Sequence, residues 1–301
     1  MEIVVFGAGS LGSLLGGLLA SEHQVMLVGR DPHVSAVRSG GLTVRGTFDR
    51  RSHPDATTDG TGLSADLAVV AVKSFDTGAA ARALATGEFD AALSVQNGIG
   101  NEETLSEYLD CPVLAGTATY GARLEEPGQV DCTGIGKLVL GRRDGGASSL
   151  ATDIATAFTA AGVDASATRE MPRQLWEKLA VNAGINPITA LSRVRNGALG
   201  ERPASEIART AAAETVRVAR AEGVDIAETT VLERIDTVVD ATARNQSSMY
   251  QDVLAGRRTE VGAINDAVVE RADDHGIDVP VNRTLAGLVG TWERENGGER
   301  G

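Results

Sequence analysis

The sequence contains few of the residues from which disulfide frameworks, metal sites and membrane spans are built. Its 301 residues include two cysteines, Cys111 and Cys132, and four scattered histidines. We therefore expect reduced thiols, no metal ion, and histidines with structural or surface roles. Apolar runs stay well short of the roughly 20 residues that a transmembrane helix needs, which predicts no membrane span. The amino-terminal MEIVVFGAGSLG has no basic segment or cleavage site, so we expect a cytoplasmic protein.

Lysine is scarce as well, since only Lys73, Lys137 and Lys178 stand beside 25 arginines. The net charge of −13 argues against nucleic acid and anionic membranes as partners, because both would repel the chain. Acidity with little lysine favours a halophilic, high-salt cytoplasm, where a Debye length of about 3 Å at 1 M salt screens self-repulsion. An ordinary acidic protein from a GC-rich genome is the alternative. A lysine retained in this composition is a candidate for a role that arginine cannot fill.

Apolar runs and helical patterns alternate in the first half of the chain, and helical patterns alone fill the second half. The predicted strands are Glu2–Phe6, Gln24–Val28, 66–72, 91–95 and 113–119, with a small antiparallel addition around 121–140. Segments 173–185, 204–222, 231–243, 259–275 and 282–295 repeat apolar residues at the helical period. We therefore predict an α/β fold, with a Rossmann-type dinucleotide-binding domain over residues 1–167 followed by an all-α substrate and catalytic domain over 168–301.

A glycine-rich turn follows the first predicted strand and opens the first helix. Its G-x-G-x-x-G pattern consists of Gly7, Ala8, Gly9, Ser10, Leu11 and Gly12. The first glycine permits the tight turn, the second lets the backbone approach a pyrophosphate, and the third allows close packing of helix on strand. The helix amino terminus then faces the anion. These residues are predicted to bind a dinucleotide.

The residues after the next strand bear on which dinucleotide is bound. Gly29 and Arg30 come first, and a guanidinium suits the 2′-phosphate of NADP(H). Asp31 follows and could instead hold the ribose of NAD(H). Lys73 stands at the end of another strand, at the carboxyl edge where cofactors bind, although a solvated lysine is the simpler interpretation. We predict NADP(H) as the cofactor, with NAD(H) possible.

Three polar side chains share one face of an otherwise apolar helix. Lys178, Asn182 and Asn186 are spaced i, i+4 and i+8, which places them within an arc of about 80°. Such a stripe faces either solvent or a ligand. Asparagine is a poor choice in the middle of a solvated helix, which favours the ligand, and Pro187 predicts a bend just after the stripe.

Further polar segments could complete a pocket. Asn97 follows a predicted strand, whereas Asn245, Ser248 and Glu260 lie between two predicted helices. Taken alone, each could equally be a turn residue or a helix cap.

Taken together, these motifs resemble the ketopantoate reductase family over essentially the whole chain. The matching segments are GAGSLG at 7–12, QNG at 96–98, WEKLAVNAGINPITAL at 176–191, NQSSMYQD at 245–252, RRTEVGAIND at 257–266 and HGIDVPVN at 275–282. The resemblance implies NADPH-dependent reduction of 2-dehydropantoate to pantoate, a step of pantothenate and coenzyme A biosynthesis. It also leaves a homodimer possible.

The resemblance also assigns roles to individual residues. Lys178 resembles the catalytic lysine and Glu260 its acidic partner. Arg30 resembles the ligand of the 2′-phosphate, and Lys73 a lysine of the cofactor pocket. The remaining matches, which resemble substrate-site and cofactor-site residues, are Asn97 for both sites and Asn182, Asn186, Asn245, Ser248 and Glu260 for the substrate.

Two other functions remain open at this point. A related reductase could act on another 2-keto or 3-hydroxy acid, since neither the fold nor the cofactor distinguishes these substrates. A non-catalytic dinucleotide sensor would need the glycine turn but not Lys178, Glu260 and the asparagines together.

Overall fold

The computed structural model describes residues 1–296, which form two compact units. The first unit comprises Met1–Gln96 and Gly100–Met171, and the second comprises Asn97–Ile99 and the chain from Pro172 onward. Residues 297–301 of the predicted second domain lie outside the described range. A short segment from the first half of the chain thus belongs to the helical unit.

The first unit is built from strands and helices in alternation. Its strands are β1 (Glu2–Phe6), β2 (Gln24–Val28), β3 (Leu42–Gly46), β4 (Arg50–Ser52), β5 (Asp55–Thr57), β6 (Ser64–Val70), β7 (Glu88–Ser94), β8 (Val113–Ala118), β9 (Gly121–Glu126), β10 (Gln129–Gly134), β11 (Leu138–Arg142) and β12 (Ala165–Ala167). Its helices are α1 (Ser10–Leu19), α2 (His33–Gly40), α3 (Thr77–Leu84), α4 (Asn101–Ser106) and α5 (Ser149–Ala160), with a 3₁₀ turn at Ser74–Asp76.

The large sheet has the strand order β12-β11-β8-β7-β6-β1-β2-β5. Its strands from β8 to β5 are parallel, and β11 joins β8 in the antiparallel sense. Side chains alternate between the faces of a strand, so neighbouring residues of β6 enter different cores. Leu67 and Val69 pack in the core that includes α1 and α5, whereas Ala68 and Val70 pack with α3 and α4. The predicted α/β fold with a helix-covered parallel sheet is therefore confirmed.

A second sheet, in the order β4-β3-β10-β9, packs on α1. Strands β9 and β10 form the antiparallel hairpin predicted around 121–140. Strand β3 pairs in parallel with β10, far along the chain, so its partner was not evident from local pattern. Helix α1 contacts both sheets, which fixes its amino terminus and the glycine turn before it.

A buried histidine ties this second sheet to the helices. The ring of His33, at the start of α2, accepts a hydrogen bond at Nδ1 from the backbone N–H of Gly128 (3.1 Å). Its Nε2 lies 3.0 Å from the hydroxyl of Ser13 on α1. Burial lowers the pKa of His33, because the protonated ring would lose hydration. The structural role predicted for the histidines is confirmed for this one.

The second unit is helical. Its elements are α6 (Met171–Ser192), α7 (Ala204–Ala221), α8 (Glu228–Ala241), α9 (Ser248–Leu254), α10 (Asn265–Asp274) and α11 (Pro280–Asn296), with 3₁₀ turns at Asn196–Gly200 and Val261–Ala263. Residues 168–296 contain no strand, as predicted. None of the helices in the described part of the chain is long and apolar enough to cross a bilayer.

Two local predictions for this half need correction. The continuous helix predicted over 259–275 is wrong, because Ile264 adopts φ −107° and ψ −86° and separates the 3₁₀ turn from α10. The helix of the polar stripe also does not end near Ile185. It continues through Pro187 to Ser192.

Candidate active site

The glycine turn is held tightly on one side and open on the other. The N–H groups of Gly7 and Ala8 both donate to the carbonyl of Val28, at 2.9 and 2.8 Å. Gly7 has φ +113°, and a Cβ there would lie 2.6 Å from the backbone nitrogen of Val72. Gly9 is exposed, and a Cβ there would have no atom within 4 Å. The turn therefore fits the close approach of a pyrophosphate at Gly9.

The amino terminus of α1 completes this cradle. The cap residue Gly9 makes no side-chain capping hydrogen bond. The hydroxyl of Ser10 accepts instead from the backbone N–H of Leu124 in β9, at 3.1 Å. The first N–H groups of a helix lack intrahelical acceptors and carry the positive end of the helix dipole. Chemically, this terminus suits a phosphate.

Charged side chains gather at the carboxyl edge of the sheet beyond β2. The guanidinium of Arg30 is 82% exposed, and its Nη2 lies 3.5 Å from Oδ2 of Asp76. The carboxylate of Asp31 accepts hydrogen bonds from the backbone N–H and the hydroxyl of Ser35, at 3.0 and 2.6 Å. These two bonds lower the pKa of Asp31, the hydroxyl contributing most.

Lys73 lies just beyond β6 in a turn that buried polar side chains hold in place. The strand ends at Val70, earlier than predicted, and Lys73 is half-buried before the 3₁₀ turn. The amide of Gln96 donates to the carbonyl of Val72 (3.2 Å) and to the hydroxyl of Thr77 (2.6 Å). The turn that carries Lys73 is thus fixed to the end of β7.

In the second unit, the polar stripe lies on a helix that is buried over most of its surface. Lys178 and Asn182 are half-buried, and Asn186 is buried. The adjacent Glu177 is buried too, but it is paired with Arg173 (2.7 Å) and Arg234 (2.6 Å). The stripe therefore differs from a solvated helix face, since its side chains are substantially covered.

Asn97 and Glu260 meet in this unit although they are far apart in sequence. The amide of Asn97 donates to Oε2 of Glu260 at 3.1 Å, and Glu260 is only 5% exposed. The N–H of Ile99 donates to the carbonyl of Ala263 at 3.2 Å, which holds Asn97–Ile99 against the Val261–Ala263 turn. Asn97 and Glu260 had both been predicted as site residues, but the hydrogen bond between them had not.

Asn245 and Ser248 are both exposed. The capping role that a serine in this segment could take belongs to the neighbouring Ser247, whose hydroxyl accepts from the N–H of Tyr250 at 3.1 Å. The hydroxyl of Ser247 also lies 2.7 Å from that of Thr189 on α6. Ser248 is therefore not explained as a helix cap.

A network of fully buried polar groups supports α6. Asn265 donates to the carbonyl of Ala183 on α6 (3.1 Å) and to Oδ1 of Asn282 (3.0 Å). Asn282 donates from its side chain to Glu214 (2.9 Å), and Glu214 also accepts from the N–H of Val281 in the first turn of α11 (3.0 Å). Within residues 1–296 no three acidic, histidine or cysteine side chains form a cluster suited to a metal ion.

Comparison with known proteins identifies the family. The model described as "Ketopantoate reductase PanE/ApbA" matches residues 3–145, and the model described as "Ketopantoate reductase PanE/ApbA C terminal" matches residues 170–293. The chain belongs to the ketopantoate reductase family. The resemblance found in the sequence is thereby confirmed.

Similar proteins agree with this membership. The chain is 47% identical to a 2-dehydropantoate 2-reductase of Halobacterium salinarum, covering 98% of this chain and 100% of that one. A PanE/ApbA family ketopantoate reductase from Ralstonia eutropha JMP134 has a crystal structure with TM-score 0.91 and 33% identity, covering 99% and 100% of the two chains. The ternary structure of D-mandelate dehydrogenase with NADH and anilino(oxo)acetate has TM-score 0.92 and 24% identity, covering 98% and 99%. At that identity the likeness shows the fold alone.

Several supporting residues of this ketopantoate reductase family member were not among the predicted site residues. Gln96 and Thr77 fix the Lys73 turn, and Asp76 pairs with Arg30. Asn265 and Asn282 support α6. Two signals were available, because Gln96 lies in the QNG motif and Pro187 inside a helical pattern implies a carbonyl without its usual donor.

Proposed function

We propose that this chain reduces 2-dehydropantoate to pantoate with a nicotinamide dinucleotide, preferring NADPH to NADH. The observation that carries the proposal is the polar stripe with Lys178 on α6, in the same unit as the Asn97–Glu260 pair, in a member of the ketopantoate reductase family. A dinucleotide sensor would need neither feature. Residues 1–167 are proposed as the dinucleotide-binding domain and residues 168–301 as the substrate and catalytic domain, with Asn97 serving both.

The cofactor would be held by the glycine turn and the charged edge beside it. The backbone of Gly7 to Gly12 would receive the pyrophosphate at the α1 amino terminus. Arg30 would bind the 2′-phosphate, and Lys73 would contact the cofactor from its turn. Preference for NADPH is supported by Asp31, whose carboxylate already accepts two hydrogen bonds from Ser35.

When bound, the reduced nicotinamide supplies a hydride to the C2 carbonyl carbon of the substrate. Lys178 would hydrogen-bond the carbonyl oxygen, stabilise the negative charge that develops on it, and donate the proton that completes the alcohol. Glu260 would orient Lys178 or the substrate hydroxyl, and Asn97 would hold Glu260 in position. The substrate carboxylate and hydroxyl would be bound by Asn182, Asn186, Asn245 and Ser248.

The test is oxidation of NADPH with 2-dehydropantoate, run beside NADH, in dilute buffer and in molar potassium chloride. We expect turnover with both cofactors and a higher kcat/KM with NADPH. Activation by salt would support the high-salt origin suggested by the composition. If NADH alone were turned over, we would assign the ribose contact to an acidic residue and not to Arg30.

The substrate itself needs a separate comparison. The fold is shared with D-mandelate dehydrogenase, so an aromatic 2-keto acid and an aliphatic one should be assayed beside 2-dehydropantoate. A higher kcat/KM for either would overturn the assignment while keeping the reaction type. A folded protein that binds dinucleotide but turns over none of the three would support the sensor instead.

A further inference from the structure

The acidic residue next to Arg30 in sequence is not the one that faces it. Asp31 directs Oδ1 at the N–H and hydroxyl of Ser35, in the first turn of α2. The carboxylate that approaches the Arg30 guanidinium comes from Asp76, with Oδ2 3.5 Å from Nη2. Arg30 and Asp76 lie in the loops that follow β2 and β6, which are parallel strands with β1 between them in the sheet.

The backbone of Asp76 is well positioned for this contact. Its N–H donates to the carbonyl of Lys73 at 2.8 Å, which closes the 3₁₀ turn. Asp76 precedes α3, but its side chain makes no capping hydrogen bond there. The carboxylate, in a side chain 38% exposed, is thus available to Arg30 without a structural duty in the helix.

A carboxylate at this distance changes what the guanidinium can bind. A phosphate monoester carries a charge of about −1.5 to −2 at neutral pH and binds an arginine best through two parallel N–H donors. Asp76 would occupy part of Arg30 and repel the phosphate. A ribose 2′-hydroxyl meets no such conflict, because it can donate to the carboxylate and accept from the guanidinium.

We propose that Asp76 is a specificity-determining residue that, by pairing with Arg30, weakens selection for the 2′-phosphate and so admits NADH. This inference rests on the proposed function, since it concerns the adenosine end of the same cofactor site. Because of this pair, the preference of this chain for NADPH over NADH is smaller than Arg30 alone would give.

The test measures binding to the full-length protein without substrate. Dissociation constants of NADP⁺ and NAD⁺ are determined by calorimetry at one fixed ionic strength for the wild type and Asp76→Asn. Removing the charge that faces the Arg30 guanidinium should tighten NADP⁺ about fivefold to tenfold, while NAD⁺ binds equally or more weakly. The kcat/KM ratio of NADPH to NADH should rise by a similar factor. Asn matches Asp in size, so the fold should be retained.

Asp153→Asn is the matched control, because this exposed aspartate lies on α5, which contacts β11 and β12 at the other edge of the sheet. It should leave the NADP⁺ to NAD⁺ ratio within about twofold of wild type, since it removes the same charge far from Arg30. Intact binding with an unchanged ratio in Asp76→Asn would overturn this inference and leave the proposed function standing. Failure of the wild type to bind either dinucleotide would overturn both.

Discussion

Asn265 supplies Ala183 with the hydrogen bond that Pro187 cannot donate. In an α-helix the N–H of residue 187 would bond to the carbonyl of residue 183, but proline has no N–H. The side-chain amide of Asn265 lies 3.1 Å from that carbonyl oxygen and donates to it. A side-chain amide thus replaces the missing backbone donor, and a buried carbonyl in the middle of α6, the helix that carries Lys178, is hydrogen-bonded. It also links α6 to the start of α10.

Replacing Asn265 should therefore destabilise the protein. Asn265→Ala leaves the Ala183 carbonyl and Oδ1 of Asn282 without this donor, and both lie in a fully buried network. An unsatisfied buried acceptor costs about 1–3 kcal/mol. Urea unfolding should show a loss in that range or above it. A loss below about 0.5 kcal/mol would mean that the amide adds little beyond an ordinary surface contact.

Restoring the missing N–H should offset part of that loss. In the Asn265→Ala background, Pro187→Ala returns a backbone donor to the Ala183 carbonyl, so the double variant should be more stable than the sum of the single changes predicts. The coupling free energy from the double-mutant cycle should be about 0.5–1.5 kcal/mol, the usual net contribution of a hydrogen bond. Strictly additive changes in the free energy of unfolding would show that Pro187 and Asn265 do not act on the same carbonyl.

Such contacts mark the limit of what the sequence could predict. The spacing of Lys178, Asn182 and Asn186 gave their common helix face, because helical geometry relates near neighbours. The glycine turn was equally local, and its strand β1 was predicted with the observed bounds. The partner of Asn97 lies 163 positions away and that of Asn265 lies 82 positions away, and no local pattern relates such residues.

The strands show the same division. Apolar runs predicted the buried halves of β6 and β7 but missed their exposed amino-terminal residues, such as Ser64 and Glu88, which pair with each other at that end of the sheet. Strands β4 and β5 are three residues each and too short to carry a periodic pattern. Family resemblance supplied the roles of site residues, but it did not supply the Asp76–Arg30 contact.

The stability of the fold should depend on the protonation of His33. Burial lowers the pKa of His33 in the folded protein, whereas the unfolded chain has the ordinary histidine pKa of about 6.5. As pH falls below about 6.5, His33 is protonated in the unfolded state but stays neutral in the folded state. The free energy of unfolding therefore decreases, by up to about 1.4 kcal/mol per pH unit. Above that pH the contribution of His33 is fully present.

The variant His33→Gln removes this titration. Its free energy of unfolding should fall less between pH 8 and pH 5.5 than that of the wild type, even if it starts lower. His53→Gln is the control, because it makes the same change at an exposed histidine. Parallel pH curves for wild type and His33→Gln would contradict the prediction.

Lys178 should be required for turnover but not for folding. Loss of a general acid that also stabilises the developing alkoxide typically lowers rates by about 10²–10⁴. Lys178→Ala should show such a fall in kcat with an unchanged dissociation constant for NADP⁺. Lys178→Arg should remain poor, because a guanidinium does not release its proton at neutral pH. Lys137→Ala, an exposed lysine, controls for charge; a decrease below tenfold in Lys178→Ala would refute the catalytic role.

Asn97 and Glu260 should act on the reaction as a unit. Because the Asn97 amide donates to the buried carboxylate of Glu260, Asn97→Ala removes a group that positions it. In a Glu260→Gln background the carboxylate is already absent, so Asn97→Ala should lower kcat/KM less. The effects of the two variants on kcat/KM should therefore be smaller in combination than their product, as found for residues that work together. The control cycle pairs Asn97→Ala with Glu270→Gln, an exposed acid on α10, where the effects should multiply. If both cycles are multiplicative, the hydrogen bond between Asn97 and Glu260 has no part in turnover, and Asn97 acts on the cofactor or substrate alone.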